Sequence, residues 1–144
     1  MLLRPATWED FETLMHWRND AEAVKWSRTP RRVSEEEHRE WLRVSLKDEH
    51  LKIFIAEQDG VEVGTGRIRV TGKTGLLSIA LGVEHRQQGH AGRLLDLLIT
   101  VASDLGCEQV MAEVHKDNRA SRLLFASRGF ECPEENFLPY SMEL

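Results

Sequence analysis

Arg86, Gln87, Gln88, Gly89, His90, Ala91, Gly92 and Arg93 follow an apolar run at residues 76–83 and precede an apolar pattern with helical spacing. The order is therefore strand, small-residue loop, helix. Such a loop can aim consecutive backbone N–H groups, those of residues 88–92, at an anion lying on the positive end of the helix. Arg86 and Arg93 would add charge. Gly89 has no Cβ and lets a ligand approach the backbone, and Ala91 leaves more room than any larger side chain. The chemistry that fits is capture of a pyrophosphate, from a nucleotide or a coenzyme. Two other phosphate loops are excluded by the same letters. No GxxxxGK followed by Ser or Thr occurs, and Gly89, Ala91 and Gly92 do not make GxGxxG.

A second segment runs Asn118-Arg119-Ala120-Ser121-Arg122-Leu123-Leu124-Phe125-Ala126-Ser127-Arg128-Gly129-Phe130. Together the two segments resemble the signatures of the GCN5-related N-acetyltransferases (GNAT). The first carries RxxGxG/A through Arg86, Gly89 and Ala91. The second is similar to NxxAxxLYxxxGF: Asn118, Leu124, Gly129 and Phe130 match, Ser121 stands for the small residue, and Phe125 replaces the tyrosine. The resemblance implies an α+β fold with a mixed, mostly antiparallel central sheet flanked by helices. Strands four and five of that sheet would splay apart to admit the pantetheine arm of acetyl-CoA, the expected cosubstrate. It also implies that the backbone of Leu81, Gly82 and Val83 pairs with the pantetheine amides, that the Leu81 N–H polarises the thioester carbonyl, and that Asn118 and Ser121 hydrogen-bond the cofactor.

Addition of an amine to a thioester builds charge on the carbonyl oxygen, which a fixed backbone donor can meet. The amine must also be neutral. A lysine-like amine costs about 4–5 kcal/mol to deprotonate at pH 7, an α-amino group about 1–1.5 kcal/mol. Glu113 and His85 are candidate bases, with His115 and His38 further candidates; each could equally be an ordinary polar residue. Phe125 occupies the place where the family's tyrosine is proposed to protonate the departing thiolate, and it has no proton to give. Either the thiolate leaves unassisted, or a water or Tyr140, the single tyrosine, takes the role, or catalysis is lost.

The elements that must position these residues follow from local signals. Thr7 with Asp10, and Ser34 with Glu37, resemble capping boxes opening two helices, one through Phe11, Leu14, Met15 and Arg18, the other through His38, Trp41, Leu42 and Leu46. Residues 51–57 and 61–70 flank Asp59-Gly60, a hairpin dipeptide, and a turn at 71–75 leads to 76–83, predicting three antiparallel strands. Leu94, Leu95, Leu97, Leu98, Val101, Ala102 and Leu105 repeat at helical intervals up to Gly106. Residues 110–114 read as a buried strand, 120–127 as a helix, and 137–144 as a final strand or pair of strands. Linker-like stretches lie at 28–33 and 131–136.

At 144 residues, one domain spanning 1–144 is expected. A net charge of -5 argues against nucleic-acid binding. No metal site is expected from Cys107 and Cys132, which lack ligand spacing, and no membrane span or secretion signal from the apolar runs, so a cytoplasmic location is predicted. Trp17-Arg18-Asn19-Asp20 and the segment from Glu36 to Leu42 resemble stretches in family members that acetylate amino sugars on nucleotide carriers, and related patterns occur in ribosomal-protein N-terminal acetyltransferases. Arg28, Arg31 and Arg32 could clamp a nucleotide-sugar diphosphate or form a plain solvated edge. The leading reading is acetyl transfer to a small primary amine, with an amino-sugar nucleotide slightly ahead of a protein N-terminus or a polyamine. Its rivals are a non-catalytic acyl-CoA-binding module and a nucleotide-binding protein unrelated to coenzyme A. An exposed final strand could support a homodimer.

Overall fold

Asp59 and Gly60 both adopt positive φ, 53° and 80°, the conformation a two-residue hairpin turn requires. They join strand β2 (Leu51–Gln58) to β3 (Val61–Thr71), and a turn with Gly72 at φ 60° leads to β4 (Thr74–Leu81). The expected antiparallel meander is present. The computed structural model describes residues 1–132 and 138–144. Strand β1 (Leu2–Pro5) adds antiparallel to β2, and β5 (Gln109–Val114) and β6 (Leu138–Glu143) complete one sheet in the order β1-β2-β3-β4-β5-β6. Phe137 and the stretch 133–136 lie outside the described residues.

The β4–β5 pair is parallel and short. Rungs join Thr74 to Gln109, Gly75 to Val110 and Leu76 to Met111, and pairing stops there although both strands continue. The sheet is therefore mixed, mostly antiparallel, and splayed between strands four and five, with helices on both faces. The last rung on the other side of β4 is Gly82 N–H to Val63 O (2.9 Å). His85 N–H then closes a single 3-10 turn on Gly82 O (2.9 Å), so the strand ends at Leu81 rather than Val83.

Helix α4 (His90–Asp104) buries Leu94, Leu95, Leu98 and Ala102 against one face. Gly66 permits this, because a Cβ there would stand 2.6 Å from Leu98 Cδ1. On the opposite face, α1 (Phe11–Arg18) and α3 (Glu35–Lys47) bury Phe11, Leu14, Trp17 and Leu42 over Leu51, Ile53 and Ile55. Each fully buried leucine contributes about 1.5–3 kcal/mol. Ser34 and Glu37 cap α3 reciprocally, both bonds 3.1 Å. Asp10 accepts the Thr7 N–H (2.8 Å), but this opens a 3-10 turn at Trp8–Asp10 before α1 begins. The Asp10 carboxylate also takes both terminal nitrogens of Arg4, which hold its pKa below the usual value against the opposing effect of burial.

A short helix absent from the sequence reading, α2 (Ala21–Trp26), follows α1. It buries no residue, so no apolar period announces it; Asp20 caps it through the Ala23 N–H (3.2 Å). Helix α5 (Arg119–Ser127) connects β5 to the final segment. No helix among the described residues is long and apolar enough to cross a membrane.

Candidate functional site

Since Gly82 donates to Val63, its antiparallel neighbours two residues apart also pair toward β3, and Leu81 and Ile79 point their backbone groups the other way. That way lies the splay, where β5 has moved off. The Leu81 N–H thus faces an open strand edge. Immediately beyond, Gln87 and Gly89 take positive φ, 60° and 80°, and Gly89 caps α4. A Cβ at Gly89 would meet nothing within 4 Å. Gly89 therefore fronts open space at the N-terminus of α4, where free backbone N–H groups can meet an anion. The backbone conformation at 89 is one that favours glycine.

Gly92 serves packing. A Cβ there would come 2.3 Å from Arg128 Nη2, and the Arg128 guanidinium lies across this first turn, pairing with Asp96 (Nε–Oδ1 3.2 Å). Arg93 and Gln88 are exposed, and Gln88 Nε2 donates to Glu84 O (3.0 Å). Arg86 is turned inward: Nη2 bonds Asp20 Oδ2 (2.5 Å) and Leu81 O (3.0 Å). Burial opposes ionisation of Asp20, but Arg86 and the Ala23 N–H outweigh it and hold the carboxyl below its usual pKa. One guanidinium so ties the glycine loop, the exposed end of β4 and the N-terminus of α2.

Trp17, Arg18, Asn19 and Asp20 act as a unit. The Trp17 indole packs on Gly82, where a Cβ would be 2.8 Å from its Nε1. Arg18 Nη2 donates to Ser27 Oγ (3.2 Å) and Thr29 O (3.1 Å). The Asn19 amide grips the Val33 backbone from both sides, donating to O (2.9 Å) and accepting from N–H (2.7 Å). These bonds hold segment 27–33 over the end of β5, where Arg28 pairs with Glu113 and Trp26 tilts onto His115 (centroids 5.1 Å).

The candidate bases are dispersed. His85 stands beside Gly82, its Cδ2 3.3 Å from where a Cβ would be, next to the exposed end of β4. Glu113 lies across the splay with its carboxylate on Arg28. His115 accepts the Asp117 N–H at Nδ1 (3.1 Å). His38 is in the other core, between Phe11 and Trp41, and burial pushes its pKa down. Asn118 caps α5 by accepting the Ser121 N–H (3.2 Å). Phe125 is 4% exposed, edge-on to Phe130 (5.0 Å) and beside Tyr140, whose hydroxyl accepts from Arg122 Nε (3.1 Å). Sequence reading missed the partnership of Asp20 with Arg86 and that of Arg128 with the α4 N-terminus, since both join residues distant in the chain. Among the described residues no three His, Cys, Asp or Glu side chains gather as a metal site.

Several solved structures share this architecture. A domain from Methanocaldococcus jannaschii superposes with a TM-score of 0.87 at 21% identity, covering 99% of this chain and 97% of that one. A ribosomal-protein-alanine N-acetyltransferase from Brucella melitensis gives 0.80 at 25% identity over 100% of both chains. Spermidine N-acetyltransferase from Vibrio cholerae, solved with CoA and spermine, gives 0.85 at 14% identity, covering 99% and 94%. No curated protein matches the sequence significantly. The acetyltransferase (GNAT) domain family matches residues 1–131, and with the splayed sheet and the glycine loop already in place, the chain belongs to that family and is an acetyltransferase that uses acetyl-CoA.

Proposed function

We propose that residues 1–144 form one domain that transfers acetyl from acetyl-CoA directly to the primary amine of a small acceptor, within a ternary complex. The observation that carries this reading is the Leu81 N–H, unpaired toward β3 and facing the splay a few residues before the glycine loop. The same strand edge that can align the pantetheine arm thereby presents a donor where the thioester carbonyl would lie. When bound, acetyl-CoA supplies an activated acyl group on a thiol leaving group. The protein supplies backbone donors at residues 88–92, Arg86 to fix the Leu81 peptide through its carbonyl, and a site that orients the amine.

His85, beside Gly82, is the base candidate better placed to take the amine proton, since Glu113 already holds Arg28. An acceptor with an α-amino-like pKa needs little such help. With Phe125 buried among Phe130 and Tyr140, we propose that the thiolate leaves unassisted or takes a proton from water. An amino-sugar nucleotide is the acceptor the sequence favours and a protein N-terminus the alternative, the latter supported by the likeness to the Brucella ribosomal-protein-alanine enzyme. In a homodimer, β6, at the sheet edge, would be the contact. The test is release of free thiol from acetyl-CoA against a panel of amines. Amine-dependent release is expected; tight CoA binding with no release on any amine would leave only the binding-module reading.

A further inference from the structure

On the sheet face covered by α1 and α3, two guanidinium groups have no carboxylate of their own. Arg18 spends Nη2 on Ser27 and Thr29, while its Nη1 is buried and has no hydrogen-bond partner among the described residues. Arg67 rises from β3 toward Trp41, its Cζ 5.5 Å from the ring centroid, and among the described residues makes no hydrogen bond or ion pair. It is open to solvent, yet desolvation by the surrounding protein, with Arg69 and Arg18, pushes its pKa down. Arg67 is thus reachable from solvent while its guanidinium lies against the Trp41 ring. Burial and Arg31 likewise lower Arg18, with Glu37 opposing.

The carboxylates nearby are already committed. Glu37 takes both terminal nitrogens of Arg31 (3.1 and 2.6 Å), Asp48 pairs with Arg69 (3.0 Å), and Glu113 with Arg28. Burial, with Arg18 adding to it, lowers the pKa of His38 and favours the neutral imidazole over the cation, so His38 supplies no counter-charge. Like charges facing one another without a counterion raise the free energy of the site, and an anion between them would relieve it.

The position of this pair fits an acceptor. Arg67 is opposite Ser78 on β4, just before the edge formed by Ile79 and Leu81. On the α4 side, Leu94, Leu98, Ala112 and Val114 are buried in one core cluster, whereas Arg67 on the opposite face is exposed, which leaves that face for the acceptor. We infer that the acceptor sits on this face beside Arg67, and that Arg18 Nη1 and Arg67 hold an anionic group, carboxylate or phosphate, carried by the acceptor besides its amine. The inference rests on the acetyl-transfer reading and narrows its substrate class.

Matched amines test it: an α-amino acid against its amide, and an amino-sugar phosphate against the free amino sugar. The anionic member of at least one pair should show kcat/KM about 10- to 100-fold higher, the range expected of a hydrogen bond between charged groups. Which pair responds identifies carboxylate or phosphate. Arg67→Gln, chosen because no hydrogen bond depends on Arg67, should remove most of that preference, and Arg67→Glu should reverse it. Equal kcat/KM within both pairs, or a preference intact in Arg67→Gln, overturns the inference. Calorimetry of the same pairs with the protein alone reads the anion seat without turnover. A preference there that Arg67→Gln abolishes, with no amine acetylated, would sink the acetyl-transfer reading and leave the seat standing.

Discussion

Gly89 combines a backbone that L side chains rarely adopt with empty space where a Cβ would go. Two substitutions separate these demands. Gly89→Ala should cost about 1–2 kcal/mol of stability from backbone strain while the loop keeps its donors. Gly89→Glu should in addition abolish CoA binding by placing a carboxylate among amides meant for phosphate; a thermal-shift titration with CoA reads both. Phe125→Tyr puts a hydroxyl into a 4% exposed site between Phe130 and Tyr140. CoA affinity should hold nearly constant and kcat should stay level or rise; a fall in kcat would show that the position serves packing. Gly89 and Phe125 were legible in the sequence because their neighbours in the chain define them. Arg86 was legible as a cation but its bond to Asp20 was not, since Asp20 lies 66 residues away and no local pattern encodes that contact.

The link between α2 and the glycine loop makes a claim at the level of elements. Asp20 both caps α2 and holds Arg86, so Asp20→Ser should keep the cap while losing reach to the guanidinium. If Arg86 positions the Leu81 peptide, kcat falls and the affinity for CoA changes little; if Arg86 is instead a phosphate ligand restrained by Asp20, the mutant binds CoA more tightly. Asn19→Ala removes both bonds to Val33 and should destabilise the protein by about 1–3 kcal/mol, measurable by urea unfolding. The meander was readable because Asp59-Gly60 dictates its own turn, and α4 because five buried positions repeat at helical spacing. Helix α2 was not readable. It is held by its cap and by side chains from α1, and neither mechanism leaves an apolar period.

Across the whole molecule, buried ionisable groups set the acid response. His38 has its pKa depressed by burial below 6.5, so the folded state binds fewer protons than the unfolded one between the two values. Stability should be complete above about pH 6.5 and decline as pH falls toward the depressed value. His38→Leu should flatten that step in a urea-unfolding series. A second loss follows on further acidification below 3.8, as Asp10 and Asp20 are forced to protonate. The splay itself came only from family resemblance. It depends on where the β4–β5 register stops, after Leu76 and Met111, and strand-length patterns carry no signal for a rung that fails to form. What the splay is for can be read amide by amide. In a nitrogen-15 NMR titration with CoA, the account predicts the largest shifts at residues 88–92 and at Ile79 and Leu81; saturation that leaves those amides unmoved, with shifts elsewhere, would contradict it.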